Sequence, residues 1–194
     1  IDFTSEAARK YNLDSIPRKR LITDISNFGI GSKKQEYYID MQSDLIVIGE
    51  DTIRKPIVSY LPEGVGAMGK REYLGIVGNA IWSKYNLLLD IAHQCVYIKR
   101  FMKDKDPSAE YDYGFRSRTD ICDGWIVSSL VRGGDAIRAG MEIGDTIVAV
   151  NGKPTKTFTW DEEENIIDEP KQTLDIRGLN GKVKHVKLEA KERW

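Results

Sequence analysis

Hydrophobic and polar positions follow a strand-like pattern over much of the first hundred residues. Four segments rich in β-branched and aromatic residues, RLITDI, QEYYIDM, LIVIG and PIVSY, are separated by NFGIGSKK and GEDTIRK. This pattern predicts strands joined by tight connections. Ahead of them, TSEAARKYNL puts Thr4 at an N-cap position and Phe3 and Ala7 on one helical face, which predicts a short amphipathic helix.

A second patterned region follows the charged segment KRFMKDKDPSAE, which has no periodicity and is typical of a linker. The segments WIVSSLV, DTIVAV, QTLDIRGL and KVKHVKLEA predict strands, and Asn151-Gly152 predicts a hairpin turn. Thr159 and Glu162 have the spacing of a capping box and predict a helix over WDEEENII. The chain is therefore predicted to form two domains, residues 1–102 and 111–194, joined by a linker at residues 103–110.

The segment GIVGNAIWSKYNLLLDIAHQCVYI has a distinctive order of elements. Gly75 and Gly78 permit a close approach of two backbones, an apolar helix follows, and a strand then ends at Asp90, where a turn is expected. The order and spacing resemble the closing segment of an aspartic-protease lobe: two hydrophobic residues and a glycine, a helix, a strand ending in Asp, and a hairpin. The resemblance implies that Gly75, Gly78 and Asp90 are structural turn residues.

The rest of the first domain resembles the single-lobe, retropepsin-like form of that family. The N-terminal segment is similar to the helix after the catalytic turn, and NFGIGSKK is similar to the flap hairpin. The resemblance implies a mainly β fold, a retropepsin-like aspartic-protease β-barrel lobe with short helices. It also implies that the flap tip contacts substrate through four residues: Phe28, Gly29, Ile30 and Gly31.

The catalytic turn of this family is missing from the sequence. The family carries its catalytic Asp in an Asp-Thr-Gly or Asp-Ser-Gly turn, and neither tripeptide occurs here. The resemblance places that Asp upstream of Ile1, so no catalytic residue is expected in this chain. Aspartic peptidases use two carboxylates that share one proton, and each lobe supplies one. A second lobe is therefore expected, from a homodimer partner or from an upstream part of the same polypeptide.

The second domain resembles a bacterial PDZ domain, a small β-barrel with two helices. The resemblance rests on YDYGF ahead of a strand and on GGDAIRAGMEIGDTIVAVNGKP. It implies that Tyr113, Gly114 and Phe115 offer backbone N–H groups to a peptide's terminal carboxylate, while the peptide adds to the sheet edge. Whether this groove is free or filled from within stays open. The acidic residues 161–164 are interpreted as a solvated helix start with no role in recognition.

Composition and charge exclude several classes of function. The 29 Lys and Arg residues balance 30 Asp and Glu residues, so no large positive field is available for nucleic acid. No apolar run is long enough to span a bilayer. His93 and His185, the only histidines, lie in different predicted domains, so neither a metal nor another cofactor is expected.

Two hypotheses of function remain after these exclusions. In the first, the complete protein is an aspartic-type endopeptidase that acts on polypeptides and carries a PDZ module, and this chain alone is inactive. In the second, a degenerate protease lobe is a scaffold and the PDZ domain binds peptide C-termini without catalysis. The frequent export of the family in bacteria implies an extracytoplasmic location, in the periplasm or cell envelope.

Overall fold

The computed structural model describes residues 1–26, 35–61, 68, 72–102, 111–120, 124–167, 169–192 and 194. In the first half the elements are β1 (Asp2–Phe3), α1 (Ser5–Lys10), β2 (Arg20–Ser26), β3 (Gln35–Gln42), β4 (Leu45–Ile48), β5 (Asp51–Arg54), β6 (Ile57–Tyr60), β7 (Gly75–Ile76), α2 (Asn79–Trp82), β8 (Tyr85–Asp90) and β9 (Cys95–Arg100). In the second half they are β10 (Tyr111–Asp112), β11 (Phe115–Asp120), β12 (Gly124–Val131), α3 (Asp135–Arg138), β13 (Thr146–Val150), β14 (Lys153–Pro154), α4 (Trp160–Ile167), β15 (Lys171–Arg177), β16 (Val183–Glu189) and β17 (Lys191–Glu192). The fold is mainly β, which confirms the predicted class.

The chain divides into two compact units. The N-terminal unit comprises Ile1–Arg20 and Tyr38–Ser108, and the C-terminal unit comprises Leu21–Tyr37 and Ala109–Trp194. The units differ from the predicted domains because residues 21–37 group with the C-terminal half. The predicted linker, residues 103–110, lies outside the described residues, and the domain boundaries stay a prediction.

In the N-terminal unit, β1 lies between two strands of opposite direction. It pairs with β6 in parallel, with Phe3 opposite Tyr60, and with β7 in antiparallel, with Phe3 opposite Gly75. A Cβ atom at Gly75 would overlap the carbonyl oxygen of Asp2, so only glycine permits this approach. The segment after β1 forms α1 as predicted, and the Thr4 side chain caps the helix by accepting from the Ala7 N–H at 3.2 Å.

Two antiparallel ribbons complete this unit. The prediction of a connection over GEDTIRK is wrong, because Asp51–Arg54 is a strand that pairs with Leu45–Ile48 along its length. The ribbon β8–β9 leaves large apolar side chains in solvent: Leu88 is 64% exposed, Leu89 65% and Ile91 85%. A small core of Ile53, Ile81 and Tyr85 lies at the base of these ribbons.

The C-terminal unit is built on an antiparallel sheet in which β16, β15, β13 and β12 are consecutive neighbours. Strand β11 pairs with one edge of β12, and β2 pairs with the C-terminal part of its other edge. Every second residue of β15 is buried, as a half-buried strand requires. The core of this unit consists of apolar residues from β12, β13, β15, β16, α3 and the segments next to them: Tyr113, Trp125, Val127, Leu130, Ala136, Met141, Ile147, Val150, Leu174, Ile176, Val186 and Leu188.

The hairpin turn and the capping box predicted from the sequence of this unit are both confirmed. Asn151 and Gly152 both have positive φ, 50° and 81°, as the predicted two-residue hairpin turn requires. Thr159 and Glu162 form the predicted capping box at the start of α4: the Thr159 N–H donates to Glu162 Oε2 at 2.8 Å, and the Glu162 N–H donates to Thr159 Oγ1 at 3.4 Å.

Candidate functional site

A groove in the C-terminal unit lies between β11 and α4. It contains a cavity of about 280 Å³ whose apolar lining comes from β12, β13, β15, α4 and the start of β11. Residues that line it include Phe115, Trp125, Ile147, Val150, Ile166 and Leu174. The cavity is therefore suited to an apolar side chain that enters between the strand and the helix.

Strand β11 has one edge that faces this groove. Within the described part of the chain, β12 is the strand that pairs with β11. The Val131 N–H donates to the Gly114 carbonyl at 2.9 Å, so the facing residues Phe115 and Leu130 are a non-hydrogen-bonded pair. The N–H and C=O of Phe115 consequently point away from β12, toward the groove.

The same orientation continues along β11. Val127, which is opposite Ser117, donates its N–H to the Asp145 carbonyl at 2.8 Å instead of to β11. Ser117 is therefore also in a non-hydrogen-bonded pair, and by alternation so is Thr119. Phe115, Ser117 and Thr119 thus direct backbone groups away from β12 toward the groove, which is the arrangement that an added strand needs. The Phe115 carbonyl there accepts a hydrogen bond from Arg116 Nη1 at 3.1 Å.

The loop at the head of β11 has a left-handed backbone at its glycine. Gly114 has φ of +81°. Its N–H is engaged within the chain, since it donates to Asp112 Oδ1 at 2.7 Å. Asp112 also forms an ion pair with Arg116 at 3.1 Å, and only 8% of its side chain is exposed. A carboxylate of the protein thus lies where the sequence predicted the carboxylate of a peptide.

Tyr113 points into the core of the unit. Its ring packs against Phe115 with centroids 6.2 Å apart, and its hydroxyl donates to the carbonyl of Glu169. Burial, and then the charge of Glu169, raise the pKa of the Tyr113 hydroxyl. The Tyr113 side chain is therefore a fixed, neutral anchor of the loop, and any recognition at this position comes from its backbone.

Helix α4 forms the other wall, and its acidic residues have different surroundings. Glu162 forms an ion pair with Lys153 at 2.6 Å, and the pKa of Glu162 is lowered by Lys153 and then by the Thr159 N–H. Glu163 instead faces the groove, where it accepts from Trp125 Nε1 at 3.2 Å and from Thr119 Oγ1 at 3.3 Å. No binding role was predicted for Glu163 from the sequence. Glu163 and Ile166 are nevertheless three residues apart, a spacing that places the two side chains on one helical face.

The site residues predicted in the N-terminal unit have structural surroundings. Gly75 lies against β1, and Gly78, with φ of −81° and open space around its Cβ position, precedes α2. Asp90 ends β8 and accepts from the His93 backbone N–H at 3.1 Å, with His93 Nδ1 2.8 Å from its other oxygen. These contacts, first the His93 side chain, lower the pKa of Asp90.

The four predicted flap residues, Phe28, Gly29, Ile30 and Gly31, lie outside the described residues. The predicted peptide-binding residues Tyr113, Gly114 and Phe115 lie together at the head of β11, whereas Gly75, Gly78 and Asp90 belong to the other unit. The roles assigned to all ten residues stay predictions.

A polar cluster that the sequence did not indicate joins the two ribbons of the N-terminal unit. Asp51 Oδ2 accepts from the Tyr85 hydroxyl at 2.6 Å and from Arg100 Nε at 2.5 Å. The hydrogen bond from Tyr85, followed by that from Arg100, lowers the pKa of Asp51. Burial and the neighbouring carboxylate raise the pKa of Tyr85. Asp51 is therefore ionised and committed to holding β5 against β8 and β9.

Neither a metal site nor a membrane-spanning helix is found among the described residues. No three His, Cys, Asp or Glu side chains among them are grouped closely enough to hold a metal ion. None of the helices described above has the length and apolar character that a membrane crossing needs. Among the described residues, the groove between β11 and α4 combines an apolar cavity with a strand edge that can accept a peptide.

One of the comparisons with known proteins identifies a family. A family model described as "PDZ domain" matches residues 67–177, a range that begins ahead of the predicted domain start at Tyr111. A solved structure, "HtrA-type protease AlgW with decapeptide", is 13% identical over 93% of this chain with a TM-score of 0.33. The chain spans 62% of that protein's length. No curated protein matches the chain.

Proposed function

Because this chain belongs to the PDZ domain family, we propose that the groove between β11 and α4 binds an extended polypeptide. The peptide adds as an antiparallel strand to the edge of β11 that faces away from β12, with its C-terminal residue beside Tyr113, Gly114 and Phe115. The observation that carries this proposal is the orientation of β11, which directs the backbone groups of Phe115 and Ser117 into the groove.

The cavity supports a preference for an apolar last residue. Its lining of aromatic and aliphatic side chains offers a volume of about 280 Å³ to a single side chain. Burying a Leu-sized side chain there contributes roughly 1.5–3 kcal/mol. A short peptide also loses conformational freedom when it docks, so an affinity on the order of micromolar is expected.

A peptide titration tests this proposal. An acetylated, fluorescently labelled hexapeptide that ends in Leu is titrated against the full chain, both as the free acid and as the C-terminal amide. The free acid is expected to bind about tenfold tighter or more, because the loop amides hydrogen-bond an anion better than a neutral group. Equal affinity of the two forms would place the carboxylate elsewhere and would refute C-terminal capture.

A pair of matched variants distinguishes blocked binding from a damaged fold. At Gly114, a Val Cβ would lie 3.7 Å from the backbone nitrogen of Asp135 at the start of α3. Gly114→Val should abolish binding because its backbone strain falls in the loop that is proposed to hold the peptide's C-terminus. Gly140→Val is the control, because Gly140 has nearly the same φ, +80°, and open space at its Cβ position. Both variants carry the backbone strain of a branched residue at positive φ, about 1–3 kcal/mol. Only Gly114→Val should abolish binding.

As a second function, we propose that the N-terminal unit is one lobe of an aspartic-type endopeptidase in the complete protein. The arrangement of β1 between β6 and β7 and the order β7, α2, β8, β9 support it, because this order matches the closing segment of such a lobe. The exposed apolar side chains of β8 and β9 support a second lobe that covers them. That lobe comes from a homodimer partner or from an upstream part of the polypeptide.

In this proposal the chemistry lies outside the present chain. Two Asp carboxylates, one from each lobe, share a proton; one activates a water and the other protonates the peptide carbonyl oxygen. A polypeptide extended upstream by an Asp-Thr-Gly or Asp-Ser-Gly turn should cleave peptides at acid pH, and its Asp→Asn variant should not. An upstream sequence without such a turn favours the alternative, a noncatalytic peptide-binding protein with the lobe as scaffold.

A further inference from the structure

Glu163 occupies a specific place in the groove. Its carboxylate, on α4, accepts a hydrogen bond from the Thr119 hydroxyl on β11, so this contact crosses the groove from one wall to the other. The second carboxylate oxygen accepts from the indole N–H of Trp125, whose side chain is held in the core at 8% exposure. The carboxylate is therefore held over the path of any strand that adds to β11.

The charge of Glu163 is not balanced by a cation in the described part of the chain. Its hydrogen-bond partners there, Thr119 and Trp125, are both neutral. The preceding residue, Glu162, differs because it forms an ion pair with Lys153. The groove thus has a fixed anionic acceptor at the end opposite the Gly114 loop.

The register of an added strand determines which peptide residues meet Glu163. If the last residue lies opposite Phe115, then the third residue from the C-terminus lies opposite Ser117 and the fifth lies opposite Thr119. Directly opposite residues on antiparallel strands point their side chains to the same face. The third and fifth side chains therefore face the groove wall with Glu163, whereas the fourth side chain points to the other face.

We infer that Glu163 is a specificity-determining residue that selects peptides with Lys or Arg at the third or fifth position from the C-terminus. This inference rests on the proposed binding of a C-terminal peptide along β11. The cation displaces the Thr119 hydroxyl and pairs with the carboxylate that Trp125 holds in place. A partly exposed pair of this kind changes affinity by about three- to fivefold.

Four peptides test the inference on the full chain. The parent is an acetylated hexapeptide with a free C-terminal Leu and Gln at its third, fourth and fifth positions from the C-terminus, and each of the others carries one Lys in place of one Gln. Lys at the third or fifth position should lower Kd about three- to fivefold relative to the parent. Lys at the fourth position should change it less than twofold, because its side chain points away from α4.

Matched variants assign the preference to a single carboxylate. Glu163→Gln removes the charge with nearly the same shape, and it should bind all four peptides equally. Glu162→Gln makes the same change in net charge one residue away, and it should keep the preference for Lys. The inference is overturned if wild type binds all four peptides equally, or if Glu163→Gln and Glu162→Gln keep the same preference.

One measurement does not depend on the folding of a variant. A parent peptide with Glu at the fifth position should bind wild type more weakly than the Gln parent, because like charges meet at Glu163; equal or tighter binding contradicts the inference. Failure of the proposed groove function itself would give a different result from failure of the inference about Glu163. If none of the peptides, including the parent, binds wild type, the proposed groove function is wrong, and the inference falls with it.

Discussion

Asp112 decides what an incoming peptide meets at the head of the groove. The residue types around Gly114 suggested an open set of backbone donors, yet the Asp112 carboxylate accepts from the Gly114 N–H at 2.7 Å and pairs with Arg116. A side chain that bonds the backbone two residues ahead is a common local arrangement. Here it means that a terminal carboxylate competes with a carboxylate of the chain for the same donor.

Removal of this competitor should strengthen the binding of peptide free acids. In Asp112→Ala the Gly114 N–H is free and a like charge is gone, so the Kd of the free-acid hexapeptide is expected to fall about fivefold. The Kd of the amidated peptide should change little, since it lacks the charge that Asp112 repels. Fluorescence titration of both forms measures this, and weaker binding of the free acid would indicate that Asp112 organises the loop for its ligand.

Between elements, polar contacts hold the two ribbons of the N-terminal unit. Strand β5 meets β8 and β9 through the carboxylate of Asp51, the hydroxyl of Tyr85 and the guanidinium of Arg100. A two-stranded ribbon is only marginally stable by itself. The cluster therefore has a larger structural role than its partial exposure suggests.

This cluster should make the stability of the N-terminal unit dependent on pH in the acid range. The pKa of Asp51 is lowered in the folded state from its ordinary value of 3.8, so its stabilisation is present above pH 3.8 and is lost as the pH falls through the lowered pKa. Thermal unfolding between pH 2 and pH 6 measures this. Asp51→Asn should reduce the loss of stability on acidification.

A second carboxylate of the same unit provides the control for this experiment. Asp44 forms an ion pair with Arg18, but its side chain is 76% exposed. Exposed pairs contribute little to stability. Asp44→Asn should therefore leave the acid dependence close to that of wild type, and an equal effect of both substitutions would argue against a special role for Asp51.

At the scale of the whole molecule, the proposed peptide binding and the proposed catalysis are assigned to different parts of the polypeptide. The groove lies within the C-terminal unit, with both walls and the loop supplied by residues 111–177. The proposed catalytic carboxylates, in contrast, are expected upstream of Ile1 and in a second lobe. Under these two proposals, the chain is expected to bind a peptide and not to cleave it.

The chain of 194 residues is accordingly expected to show no peptidase activity. Incubation with unstructured polypeptide between pH 3 and pH 6 should yield no cleavage, and a statine-type transition-state mimic should not bind, because neither required Asp is present. Cleavage that persists through repurification, and that a substitution in this chain removes, would contradict the proposed alignment with the protease lobe.

What the sequence by itself determined depends on contacts between near neighbours. Thr4 caps α1, Asn151-Gly152 forms its turn, and Thr159 with Glu162 caps α4, because each signal acts within three residues along the chain. Alternating hydrophobicity predicted most strands for the same reason. The PDZ resemblance also came from sequence, since its turn and loop residues occur at fixed local spacings.

Only the tertiary structure decided the contacts between distant segments. The pairing of β2 with β12 joins residues about a hundred positions apart, and no local pattern specifies that partner. Strand β5 was missed because Asp51 and Arg54 are polar, and its partner β4 and the Tyr85–Arg100 cluster determine its conformation. The spacing of Glu163 from Ile166 is local, but its contact with Thr119 on β11 is not, because the environment of a carboxylate depends on the elements that fold against it.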